Sequence, residues 1–165
     1  MPSGKTHAVV EMALLPALGA AYYVALQPGT VELAVFAGAY LFSSLWLSPD
    51  LDLHKNAARR RWGPLGFLWT PYSKVFKHRG LSHSLVLGPL TRLVYLGLVL
   101  AAVIAGLSYL WGLALPPAEK AAAFWQNREV LWALGAGLYL PNVLHVLLDR
   151  GVSALRPRRA HARGR

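Results

Sequence analysis

The sequence predicts an all-α protein: a polytopic membrane helical bundle of about four spans with a basic, aromatic cytoplasmic loop. Two observations of composition and one of pattern carry that expectation. Apolar residues make up 55% of the chain and charged ones only 15%. The mean hydropathy is +0.38, high for a water-soluble domain. The apolar residues gather into four long runs, and the cations lie between those runs, with Arg92 the exception.

The first run, Ala8 to Leu26, contains Glu11 and Pro16. Lys5 before an apolar core and the small residues "ALGAA" after it would fit a secretory signal, but Glu11 near the start of that core argues against cleavage and for a retained helix. The second, Val31 to Leu47, is short and has Glu32 at its edge. The third extends from Leu85 to about Leu115 and is long enough to cross a bilayer, for which roughly 20 apolar residues suffice. The fourth, Glu129 to Leu148, carries Pro141, Asn142 and His145. Glycines at 97 and 106, and at 135 and 137, would permit close helix packing. Residues 1–155 thus read as one helical membrane domain, and 156–165, "RPRRAHARGR", as a basic disordered tail in which His161 is solvated.

A formal charge of +10 first suggests a nucleic-acid partner, yet the distribution of the cations speaks for a membrane. Four spans put the N-terminus, the Ser48–His83 loop and the tail on one face. That face carries 14 Lys and Arg, against Lys120 and Arg128 on the other. The excess of cations predicts that both termini and the loop are cytoplasmic. Within the loop, "RRRWGPLGFLWTPYSKVFK" interleaves rings and cations, as expected of a segment embedded in the headgroup layer against anionic lipid. Arg92, inside the third run, would snorkel to the boundary or pair with Glu11.

Because the acids number only seven, their positions are informative. Asp50 and Asp52 ("SPDLD") close the second run, and His145 and Asp149 ("HVLLD") close the fourth. His7 precedes the first, while His78 and His83 ("KHRGLSHS") open the third. Four chain segments therefore deliver possible metal ligands to one depth, where an unpaired ionisable group is costly and marks a functional site. His145 and Asp149 share a helical face, as do His7 and Glu11. Pro49 biases Ser48 away from helical geometry, so an irregular turn would let Asp50 and Asp52 face one site. His54 is a spare ligand or a loop histidine. Ser82 would N-cap the third helix and put His83 in its first turn, with free amides and Arg79 suited to a phosphate oxygen. The chain has no cysteine, which excludes disulfides and thiolate-bound metals and leaves imidazole and carboxylate ligands.

At these residues the chain resembles a group of small bacterial membrane proteins. "MPSGKTH", "PDLD", "HRGLSHS" and a late "HxxxD" recur in that order in metal-binding proteins described as membrane-bound metal-dependent hydrolases, the LexA-binding inner-membrane-associated hydrolase group. The resemblance covers roughly His7 to Asp149. It implies a multi-pass protein of the bacterial inner membrane with a His/Asp metal centre and a hydrolase activity, and it marks His7, Asp50, Asp52, His78, His83, His145 and Asp149. Ala8 departs from the group, where a polar residue is expected beside the first histidine, and this removes one further N-terminal ligand.

Residues and resemblance together lead to an expected metal-dependent hydrolase of a phosphoester or phospholipid-like substrate. His7, Asp50, Asp52, His83, His145 and Asp149 would hold one or two divalent ions, zinc or manganese, that activate water. Arg79 would stabilise developing negative charge, and His78 would ligate metal or protonate the leaving group. The expected partners are membrane lipids and an anionic phosphate-bearing substrate, with no nucleic acid. The alternative from another class is a non-catalytic metal-binding or lipid-sensing scaffold with every coordination position filled by protein. A transporter would place its polar residues at the midplane, whereas these gather at one boundary.

Overall fold

The computed structural model describes residues 3–53, 56–76, 84–112, 119, 122 and 125–155. Among them every regular element is helical and there is no strand. The tail 156–165, His54 and the stretch 77–83 with His78, Arg79, Ser82 and His83 lie outside the described residues.

Helix α1 spans Gly4–Leu26. Ser3 starts it by accepting the Thr6 amide at 3.2 Å, which satisfies one of the donors left open at a helix N-terminus. It ends at Gln27, whose left-handed backbone (φ 44°) lets its amide return to the Tyr23 carbonyl at 2.8 Å. The helix begins before the apolar run does, so His7 lies inside it instead of preceding it. Helix α2, Thr30–Trp46, has 17 residues and continues into a 3-10 turn at Pro49–Asp52. Two short helices come next, α3 (Ala57–Arg61) and α4 (Trp69–Val75), joined by a 3-10 segment at Gly63–Leu68. Helix α5 spans Leu87–Trp111 and α6 spans Arg128–Leu155. The Leu87 amide donates to the Ser84 hydroxyl at 3.2 Å, so α5 starts later than a cap at Ser82 would set it.

Four helical stretches are long and apolar enough to cross a membrane: Gly4–Leu26, Thr30–Asp52, Leu87–Trp111 and Arg128–Leu155. Burial is inverted relative to a water-soluble bundle. Val9, Val24, Leu98 and Leu110 face outward, while Glu11, Arg92, Asn142 and His145 are almost wholly buried. An apolar exterior over a polar interior suits a surrounding of lipid, in which polar groups must find their partners inside the protein.

The packing core joins α2 and α6. Phe36, Tyr40 and Ala133 are fully buried there, with Leu15, Leu18 and Tyr22 of α1 against them. Gly137 permits the contact, since a Cβ at that position would sit 2.5 Å from the Phe36 carbonyl oxygen and 2.8 Å from the Ala39 Cβ. The Ser43 hydroxyl donates to the Leu138 carbonyl at 2.7 Å across the same seam. Of the four glycines noted above, Gly97, Gly106 and Gly135 face open space.

The loop region folds back on the end of the bundle. Trp69 and Tyr72 are buried with Leu47, Leu51 and Ala58, and Trp62, Phe76 and Tyr95 pack around them. This corrects the expectation of a ring-embedded surface segment: most of its aromatic residues serve the protein core, and Phe67, with Leu65 and Val75, projects outward. Polar ties hold the fold-back. The Trp62 indole donates to the Trp46 carbonyl at 2.9 Å, and the Tyr72 and Thr91 hydroxyls lie 3.1 Å apart.

Candidate metal centre

One end of the bundle collects the start of α1, the turn after α2 and the end of α6. On α1, His7 and Glu11 are four residues apart and face inward together. On α6, His145 and Asp149 repeat that spacing from the opposite direction. The two imidazoles stack with ring centroids 3.7 Å apart and planes at 16°.

Carboxylates surround this stack. His7 Nε2 lies 3.1 Å from Asp149 Oδ1. His145 Nδ1 lies 3.3 Å from Glu11 Oε1, and its Nε2 lies 3.7 Å from Asp50 Oδ1. The ligand atoms of His7, Glu11 and His145 all fall within 4.8 Å of one another. Neighbouring donors around a tetrahedral zinc are about 3.4 Å apart, given bond lengths of about 2.1 Å, so these three would draw closer to share an ion and leave a fourth position to another donor. His7 Nδ1 is buried and has no hydrogen-bond partner among the described residues. A buried imidazole nitrogen without a partner is costly in a protein interior, and coordination to a cation would remove that cost. The donor set, imidazole and carboxylate without thiolate, fits zinc, manganese or iron.

The surrounding chain fixes these groups. The Ser44 hydroxyl donates to Glu11 Oε2 at 2.5 Å, and the Tyr40 hydroxyl donates to the Glu11 carbonyl at 2.8 Å. Ser48, in extended geometry before Pro49, accepts the Asp50 amide at 3.4 Å. Asn56 spans the same turn. Its amide group donates to the Asp50 carbonyl and, at 2.9 Å, to the Leu53 carbonyl, while its side-chain oxygen caps α3 at Arg59. Gly4 closes the approach of α1, where a Cβ would lie 3.5 Å from Asp50 Oδ2.

The structure therefore brings His7, Asp50, His145 and Asp149 together. Asp52 is buried on the same turn as Asp50. His78, Arg79, His83 and His54 lie outside the described residues. Glu11 is the addition to the expected set. Its sequence signal was its helical register with His7 and its unusual place in an apolar run. Arg92 neither snorkels nor pairs with Glu11: it is 1% exposed and bonds to Gly88, Leu47 and Asn142.

Fold and cluster define a class: an all-α chain with four potential membrane-crossing helices and a buried His/Glu group able to hold a metal. The chain belongs to the DUF2227 family, described as an uncharacterized metal-binding protein, with residues 2–159 matched. That description supports metal binding and stops short of both hydrolase activity and the LexA-binding group. A stretch of 61 residues is 46% identical to an uncharacterized protein of Aquifex aeolicus (strain VF5), covering 37% of this chain and 43% of that protein. No solved structure matches the chain.

Proposed function

We propose that this protein is a membrane-embedded, metal-dependent hydrolase of phosphoester or phospholipid-like substrates, working at the cytoplasmic face of the bacterial inner membrane with both termini inside. The observation that carries the reading is the buried group of His7, Glu11 and His145, flanked by Asp50 and Asp149 at one end of the bundle. A bound divalent cation there would acidify water and polarise a phosphoryl oxygen. His7 and His145 would donate through nitrogen. Asp50, with a side chain 16% exposed, is more open than the histidines and is the member best placed to meet a substrate. Glu11 and Asp149 would ligate or orient the rings, since an imidazole bound to metal commonly gives its other nitrogen to a carboxylate. Asp52, His83, Arg79 and His78 remain part of the proposal on their sequence positions, with His83 as a ligand, Arg79 toward phosphate and His78 as ligand or acid.

Metal analysis of the purified protein beside an Asp50→Asn/His145→Ala variant tests the site. Zinc or manganese near one or two ions per chain is expected in the parent and a loss of most of it in the variant; equal loading of both would overturn the reading. Incubation with phospholipids and soluble phosphoesters tests the reaction, and turnover that depends on added zinc or manganese is expected.

A second reading is favoured by one observation. His7, Glu11 and His145 are each no more than 3% exposed, which suits an enclosed, non-catalytic site in a metal-binding or lipid-sensing scaffold. Stoichiometric metal without turnover of any phosphoester would select it.

A further inference from the structure

Arg92 sits near the start of α5, its side chain sealed from the surroundings, in the part of the bundle that holds the metal ligands. All three guanidinium nitrogens are engaged. Nε donates to the Gly88 carbonyl of its own helix at 2.9 Å, which fixes the plane of the group. Nη1 donates to the carbonyl of Leu47, the residue that ends α2, and Nη2 donates to Asn142 Oδ1 on α6. Asn142 in turn donates to the Leu85 carbonyl at 3.3 Å.

Both partners are close in the chain to residues of the centre. Leu47 immediately precedes Ser48 and the turn that carries Asp50 and Asp52. Asn142 is one helical turn before His145. One rigid cation thus touches both segments whose side chains meet at the 3.7 Å approach of Asp50 to His145. It also supplies positive charge to a region where Asp52, Asp50 and Glu11 act on it electrostatically. Packing alone gives no reason for a guanidinium here, since apolar residues of similar volume often replace a buried charge at little cost, and a charge within an apolar helix is expensive. A planar fork with fixed donor directions can instead hold a backbone carbonyl and a side-chain amide of two segments at a set distance, which a lysine cannot.

We propose that Arg92 is a positioning residue for the metal centre: its bridge from Leu47 to Asn142 sets the spacing of the Asp50 turn and His145, and so presets the site for a divalent cation. The inference rests on the metal-binding reading above. The test uses full-length protein in detergent with Zn²⁺ and Co²⁺ as probes, comparing the parent, Arg92→Lys and Asn142→Ala. Affinity is measured by chelator competition, geometry by the visible absorption of bound Co²⁺, and fold by thermal unfolding without metal.

Outer partners of metal ligands typically contribute about 10- to 100-fold in affinity, and a loss of that size is expected in both variants, with altered Co²⁺ bands. Asn142→Ala removes one arm of the bridge but keeps the guanidinium and its contacts to Gly88 and Leu47. The lost acceptor of a buried cation is expected to lower its unfolding temperature, and it decides the matter if it folds where Arg92→Lys does not. Parent-like affinity and Co²⁺ bands in a folded Asn142→Ala or Arg92→Lys protein would overturn the positioning role alone. A parent that binds neither ion would overturn the metal-binding reading and this inference with it.

Discussion

Glu11 is held from three directions, by Tyr40 at its carbonyl, by Ser44 at one carboxylate oxygen and by His145 at the other. Two partners on the carboxylate and a third on the backbone of one residue in an apolar helix point to a fixed role beside the imidazole. Glu11→Gln keeps the shape and the Ser44 contact but removes the charge. If Glu11 ligates or orients His145, that variant should lose about 10- to 100-fold in zinc affinity by chelator competition. Parent-like affinity would remove Glu11 from the centre. The sequence made Glu11 visible as an odd acid in register with His7. What it left open was the rotation of α1 in the bundle, which decides whether this face meets Arg92 or His145. Arg92 was misread for the same reason: its partners include a backbone carbonyl on α2, and main-chain acceptors leave no trace in side-chain patterns.

At the scale of elements, the site depends on how closely α2 and α6 approach. Gly137 is in backbone contact with Phe36 and Tyr40, whereas nothing lies within 4 Å of a Cβ built at Gly135. Gly137→Ala should therefore force the helices apart and cost about 1–3 kcal/mol, as overpacked cores do. Gly135→Ala should unfold at or above the parent temperature, because alanine is the better helix former. Thermal unfolding in detergent checks both, and equal midpoints for the two variants would contradict the close seam. Both glycines lie in the fourth apolar run, and the chain alone ranks neither above the other. The order of helices was legible because runs and boundary cations are local signals. The burial of Trp69 and Tyr72 was not, since it arises from the loop folding back on α2 and α5, a contact between distant parts of the chain.

At the scale of the molecule, a centre shared by α1, the turn after α2 and α6 ties metal binding to global stability. A ligand that binds only the folded state stabilises it by mass action, by about 2.7 kcal/mol at a hundredfold excess over its dissociation constant. Removing metal with a chelator should therefore lower the unfolding temperature of the parent, and should leave an Asp50→Asn/His145→Ala variant unmoved. An identical chelator effect on both would place the bound metal elsewhere. Orientation is the second property at this scale. The excess of cations in the N-terminal segment, the loop and the tail of the sequence predicts that a reporter fused after residue 165 reads out in the cytoplasm. A reporter found on the outer side would invert the proposed topology. The convergence of His7, Asp50, His145 and Asp149 was the most legible part of the site, because an even number of long antiparallel runs returns their segments to one end.

The stacked rings of His7 and His145 join residues from the first and last long helices. During synthesis, α1 reaches its surroundings with two polar groups whose histidine and aspartate counterparts have yet to be made. Tyr40 and Ser44 of α2 can shield Glu11 early, but His7 must wait for Asp149. The centre therefore depends on the last of the long helices: a nascent protein stalled before α6 has no means of assembling it, however well its earlier helices have formed.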